Sequence, residues 1–291
     1  MSGKGDKWRG GWNYKYADNF DKIFNKETVM NKVFIFDVDG TLTPSRLQMD
    51  KKFAEYFKKW AKTNTYWLVS GSDMEKMDEQ VPEDILIEAE GMFCCGGNEL
   101  WEFDPHIVNF PFNQIYRRKF KPPETLLTYL GFQVKMSDTP VKSTNHREDR
   151  GSMLNFSIVG RDCTLEERQQ YFEYDKKTGE RERIAKAIKD GWPQLDAVIG
   201  GQISIDIAPV GNDKSQVIDE IKTRMEDKLP SIPRYDYEYV FMGDRTMEGG
   251  NDYPLAKVMN EMDNCEVFQA GEPSAENGYK RTREILEELN D

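Results

Sequence analysis

The segment Val33-Phe34-Ile35-Phe36-Asp37-Val38-Asp39-Gly40-Thr41 constrains this chain more than any other. VFIFDV is a short β-branched and aromatic run, which predicts a strand buried on both faces. Such a strand needs a sheet covered on two sides, as parallel α/β structure provides. The run closes on two carboxylates and a glycine, at the strand end where open α/β sheets bind their ligands.

The chain around it keeps an alternating rhythm. Residues 50–62 place Phe53, Phe57 and Trp60 at helical spacing, TYWLVS at 65–70 reads as a strand, and MFCC at 92–95 as another. Ser72 is placed to N-cap a helix reaching Gln80. The same rhythm returns after residue 210, with helices at 214–227, 252–260 and 274–289 and strands at 237–242 and 266–270. Between them the pattern changes. Residues 99–103 and 106–110 read as a hairpin, and a helix follows Pro122-Pro123 as far as Gly131. A strand spans 152–160, a capping box runs from Thr164 to Glu167, and 196–201 with 202–209 form a strand pair. The expected fold is therefore α/β: a Rossmann-like parallel-sheet core domain (31–105 and 210–291) with an inserted α+β cap domain (106–209) carrying an antiparallel sheet. Residues 1–30 show no period of 2 or 3.6 and read as an N-terminal extension.

Composition narrows the function. A net charge of −12 argues against general nucleic-acid binding, which needs a basic surface. No apolar run approaches a membrane helix, and the N-terminus has no apolar signal region. Cys94, Cys95, Cys163 and Cys265 form no CxxC pair, which fits reduced thiols and a cytoplasmic location.

The chemistry gathers at the predicted strand ends. Asp37 is the expected nucleophile toward phosphorus, and Asp39 the acid and base that serves the leaving and entering oxygens. Ser72, with backbone N–H groups at a helix start, suits a phosphate oxygen, and Lys214 a phosphate charge. Asp244 follows a strand and offers a hard-cation ligand, so Asp37, Asp39 and Asp244 are expected to hold Mg²⁺. Asp252 stands behind them or caps the next helix. Taken singly, each motif also has a plain structural reading as a turn, a cap or a surface charge.

The order DxDGT, Ser, Lys, GDxxxxxND resembles the four motifs of the haloacid dehalogenase superfamily. Longer segments at 37–46, 153–177, 200–214 and 241–252 resemble eukaryotic-type phosphomannomutases, and the likeness spans about residues 32–270. That resemblance implies an aspartyl-phosphate enzyme that interconverts hexose 6-phosphate and hexose 1-phosphate, with Mg²⁺ as cofactor. A hexose 1,6-bisphosphate would be its intermediate and activator. It further implies that Arg46 lies near the substrate and that Arg150, Arg161 and Arg168 hold the distal phosphate. Ser204 and Asp206 would contact the sugar or that phosphate, and the protein would pair as a homodimer through its caps. A sugar-phosphate phosphatase of the same superfamily is the alternative, and an idle binding protein a more distant one. Residues 1–30 have no counterpart, and 133–149 match poorly.

Overall fold

The computed structural model describes residues 31–228, 237–272 and 277–290, so the extension expected at 1–30 lies outside the described residues. The VFIFDV run forms β1, Asn31–Asp37. Parallel neighbours flank it, β2 (Thr65–Val69) on one side and β10 (Tyr237–Gly243) on the other. The sheet order is β11 (Cys265–Gln269), β10, β1, β2, β3 (Met92–Cys94), β4 (Glu99–Phe103) and β5 (Phe112–Arg117). β11 through β3 run parallel, and β4 and β5 are antiparallel additions at one edge.

Alternation along β1 feeds two cores. Phe34 and Phe36 pack toward α1 (Lys51–Ala61), α2 (Met74–Gln80), α3 (Glu83–Glu88) and α9 (Gly278–Asn290). Val33 and Ile35 pack toward α7 (Val217–Lys228) and α8 (Tyr253–Asn260) on the other face. Phe57 of α1 meets Phe36 edge-on at 5.3 Å. Burying such a ring contributes about 1.5–3 kcal/mol.

A second sheet has the order β6 (Arg147–Asp149), β7 (Leu154–Ser157), β9 (Ser204–Pro209) and β8 (Leu195–Gly200), all antiparallel. α4 (Glu124–Met136), α5 (Leu165–Thr178) and α6 (Glu180–Gly191) cover one face, where Ile205 and Ile207 meet Leu126, Tyr171 and Ile184. Because side chains alternate along β9, Ser204 and Asp206 take the opposite face, toward the larger sheet. α5 opens with the capping box foreseen at Thr164 and Glu167. No helix among the described residues is long and apolar enough to cross a membrane.

Three local expectations need correction. The partner of β4 is β5, at 112–117, and not residues 106–110. Asn109 has φ 76° and Pro111 lacks an N–H, so the chain breaks its strand there. The larger sheet therefore continues to Arg117, past the boundary expected at 105/106. α2 is capped by Asp73, whose carboxylate accepts from Lys76 N, rather than by Ser72. α4 continues through Gly131 to Met136.

α9 matters to the site because it closes on the turn after β1. Thr282 Oγ1 donates to Thr41 O at 2.8 Å, and a Cβ on Gly278 would overlap the carbonyl of Gly40. Gly278→Ala should therefore destabilise the protein by about 1–3 kcal/mol, the usual range for overpacking, as read by denaturant unfolding. An unchanged midpoint would show that α9 does not hold this turn.

Candidate active site

β1 ends at Asp37, and the chain then turns back on Val38, whose carbonyl accepts the N–H groups of Leu42 and Thr43 at 3.0 Å each. Gly40 sits in this turn with φ 87°, and a Cβ there would run into the Asp244 carboxylate. Glycine is required by both conformation and close approach. Asp244 follows β10, the neighbour of β1, and Asp252 precedes α8. Carboxylate oxygens of Asp37, Asp244 and Asp252 lie within 4.8 Å of one another, all three buried.

Lys214, 2 % exposed, joins this group. Its Nζ donates to Asp37 Oδ1 and to Asp252 Oδ1, each at 2.5 Å. Thr41 Oγ1 donates to the other oxygen of Asp37 at 3.2 Å, and Arg245 N to Asp252 Oδ2 at 2.9 Å. Burial pushes the Asp37 carboxyl well above its usual range, Asp252 and Asp244 add to the rise, and Lys214 offsets only part of it. Burial works against the Lys214 charge, but Asp252 and Asp37 outweigh it and hold the ammonium protonated. Both directions describe a buried pocket with carboxylate in excess. An all-oxygen, hard, anionic donor set of this kind fits Mg²⁺.

Asp39 stands apart from that set. Its Oδ1 accepts from Arg46 N at 2.6 Å and Gln80 Nε2 at 3.0 Å, and its Oδ2 from Ser72 Oγ at 3.4 Å. The clustered carboxylates are thus Asp37, Asp244 and Asp252, while the turn after Val38 carries the Asp39 side chain toward Ser72 and Gln80. Asp252 makes no side-chain cap bond to α8. Arg46, at φ 61°, lies beside Asp39 in the left-handed region, and burial lowers its pKa.

The second sheet closes over these groups. Arg46, Ser72, Arg150, Arg168, Ser204 and Asp206 line one cavity together with Asp37, Asp39 and Asp244. Arg150 reaches across to the larger domain, donating to Gly71 O and lying 3.8 Å from Asp73. Arg168 is pushed down to about 10 by burial and by Arg46. Asp206 is raised by burial, against the pull of Arg150, and accepts from Asn155 Nδ2 at 2.5 Å. Arg161 is the exception. Its Nη1 donates to Ser204 Oγ at 3.1 Å and its Nη2 meets Glu148 at 2.7 Å, so it lies behind the cavity wall. The cavity is about 50 Å³, room for a few waters and less than a hexose phosphate occupies.

Three residues that hold the site were not singled out in the sequence. Gln80 and Arg245 act through hydrogen bonds to partners remote in sequence, and Glu148 through ion pairs with Arg150 and Arg161. Arg245 was in principle reachable, since it follows Asp244 directly. For Gln80 and Glu148 the sequence carries no local signal.

Lys214→Met would leave Asp37 and Asp252 buried without their cation, at a cost of about 3–5 kcal/mol near neutral pH. The folded Asp37 pKa lies above the ordinary 3.8, so its contribution favours folding at low pH and is lost as pH rises through the raised value. The destabilisation by Lys214→Met should accordingly shrink as pH falls toward 4. Denaturant midpoints measured across that range check the trend, and a penalty independent of pH would contradict it.

A family model described as eukaryotic phosphomannomutase matches residues 53–271. The phosphomannomutase of Encephalitozoon cuniculi is 33 % identical over 264 residues, covering 88 % of this chain and 94 % of that protein. The phosphomannomutase of Saccharomyces cerevisiae is 32 % identical over 225 residues, covering 76 % and 83 %. Among solved structures, an IMP-bound IMP-nucleotidase of Plasmodium falciparum superposes with a TM-score of 0.55 at 16 % identity, covering 95 % of this chain and 72 % of the other. That likeness is one of fold. With the long sequence matches in both domains, the chain belongs to the eukaryotic phosphomannomutase family.

Proposed function

We propose that the protein interconverts mannose 6-phosphate and mannose 1-phosphate. The observation that carries this reading is one cavity lined from both domains. The core contributes Asp37, with Lys214 hydrogen-bonded behind it, and the cap contributes Arg150 and Arg168, with Arg161 just behind. A sugar with a phosphate at each end matches that layout, since guanidinium groups suit phosphate and a lysine offsets its charge.

Asp37 attacks phosphorus, forming the aspartyl-phosphate bond as the bond from phosphorus to the sugar oxygen breaks. Asp39 gives its proton to that leaving oxygen. Its position is fixed by Arg46 N, Gln80 and Ser72. In the reverse half, Asp39 takes a proton from the free hydroxyl of a bound hexose monophosphate, which attacks the aspartyl-phosphate; the bond from phosphorus to Asp37 breaks and the bisphosphate forms. A hexose 1,6-bisphosphate lies between the halves and primes the enzyme. Mg²⁺, held by Asp37, Asp244 and Asp252, supplies charge neutralisation for the transferring phosphoryl group. Ser72 and Lys214 orient that group, and a cap closed over the bound sugar would exclude water, which favours a sugar hydroxyl over hydrolysis. Cap movement is part of the cycle, because the cavity of about 50 Å³ must widen to admit substrate.

The same reading places the protein in the cytoplasm, in keeping with its unpaired cysteines. It also makes the protein a homodimer through the caps, where Phe132 and Met136 of α4 are exposed.

A phosphorus NMR time course tests the reaction. With mannose 1-phosphate, Mg²⁺ and a trace of glucose 1,6-bisphosphate, mannose 6-phosphate should accumulate with little free phosphate. Asp37→Asn should lower the rate at least about a thousandfold. Free phosphate as the main product would make the protein a phosphatase. Mg²⁺ should also raise the melting temperature of the wild type, and Asp244→Asn should remove that rise.

A further inference from the structure

Glu148 has no part in the reaction above, yet it sits among the arginines that reaction needs. It lies on edge strand β6, opposite Asn155 of β7, which is opposite Asp206 of β9. Residues paired directly across strands share a face, and Asn155 and Asp206 line the cavity. Glu148 thus extends the polar row that faces the core. One of its oxygens, Oε2, lies 2.7 Å from Arg161 Nη2 and 3.1 Å from Arg150 Nη2. Its side chain is 31 % exposed. Burial alone would raise its pKa, but Arg150, Arg161 and Arg46 outweigh burial and keep it below the usual range.

We infer that Glu148 is the resident counter-ion of the distal phosphate subsite: it holds Arg150 and Arg161 when no phosphate is there and yields them when one arrives. The inference rests on the proposed mutase reading, in which these arginines grip the non-transferring phosphate. A carboxylate and a phosphate make the same demand on a guanidinium N–H. They cannot use one N–H together, and they repel each other at that distance. Glu148 and Ser204 each take an N–H of Arg161, so a phosphate that grips this guanidinium competes with the Glu148 carboxylate for it.

The mutase cycle gives this exchange a purpose. The bisphosphate must leave the cap arginines once per cycle so that its other end can face Asp37. Releasing it without a substitute would leave Arg150 with Asp73 at 3.8 Å as its carboxylate partner and Arg161 with the Ser204 hydroxyl, weaker pairing for two largely buried guanidinium groups. Glu148 supplies the substitute. The phosphate is therefore held less tightly than the arginines alone would hold it, and its release is eased to the same extent.

The test is calorimetric titration of mannose 1-phosphate, with Mg²⁺ present, into wild type, Glu148→Gln and Arg161→Ala, each confirmed folded by its melting curve. Glu148→Gln should bind at least about fivefold more tightly, the lower end of ordinary coupling free energies. Damage to the site would weaken binding, so a gain is not the result a merely structural role would produce. Unchanged or weaker binding by Glu148→Gln, alongside weaker binding by Arg161→Ala, overturns the role of Glu148 and leaves the subsite standing. An unchanged Kd for Arg161→Ala would instead remove the distal subsite, and with it the reading on which this inference rests. If Glu148→Gln does not fold, Glu148→Asp retains the charge but loses a methylene of reach. It too should bind more tightly than wild type, and an unaltered Kd would count against the inference.

Discussion

Lys214 is a buried ammonium held between Asp37 and Asp252, residues 177 and 38 positions away in the chain. A buried charge with one partner removed is costly, whereas a charge with two carboxylates and further hydrogen bonds is stable. The rest of the site follows from this contact. It fixes the end of β1 against the turn before α7 and the loop before α8, so three distant segments share one point. Asp244 enters through sheet register, since β10 is the parallel neighbour of β1. Burial and the excess of carboxylate that results raise the Asp37 pKa, against the opposing pull of Lys214.

The cap completes the chamber by contacts of a different kind. Arg181, paired with Asp175, donates to the carbonyls of Gly201 and Ser204 and so shapes the loop above the cavity. Arg245, from the core, donates to the same Gly201 carbonyl at 2.9 Å. Its own N–H binds Asp252, so one residue touches both the carboxylate cluster and the lid. Cys95, Met153 and Ala208 form a small apolar contact between the two domains. These are few and mostly polar links, the kind that separate and re-form when two bodies move apart.

What could be read from the sequence was what periodicity and strand ends encode. β1 and β9 were legible because their apolar positions match a strand buried on two faces and on one. The Thr164 capping box was legible because it is local. The pairing of β4 was misjudged because 106–110 and 112–117 have similar composition, and Asn109 and Pro111 decide between them. Asp37, Lys214 and Asp244 were found from motif order, and the structure brings them together. That Asp252 joins Asp37 and Asp244 in one cluster was hidden, since it depends on how distant loops meet. Gln80 was invisible for the same reason, its partner Asp39 being 41 positions away, and Glu148 because its ion pairs with Arg150 and Arg161 depend on how β6 and the turn after β7 fold together.

The turn that carries Asp39 and Gly40 is braced by Thr282 and Gly278 of α9. During synthesis, residue 37 leaves the ribosome long before residue 282 is made. The catalytic turn therefore waits for almost the whole chain before it has its brace. A product that ends between residues 252 and 278 carries Asp37, Lys214, Asp244 and Asp252 yet lacks the helix that braces the turn between them.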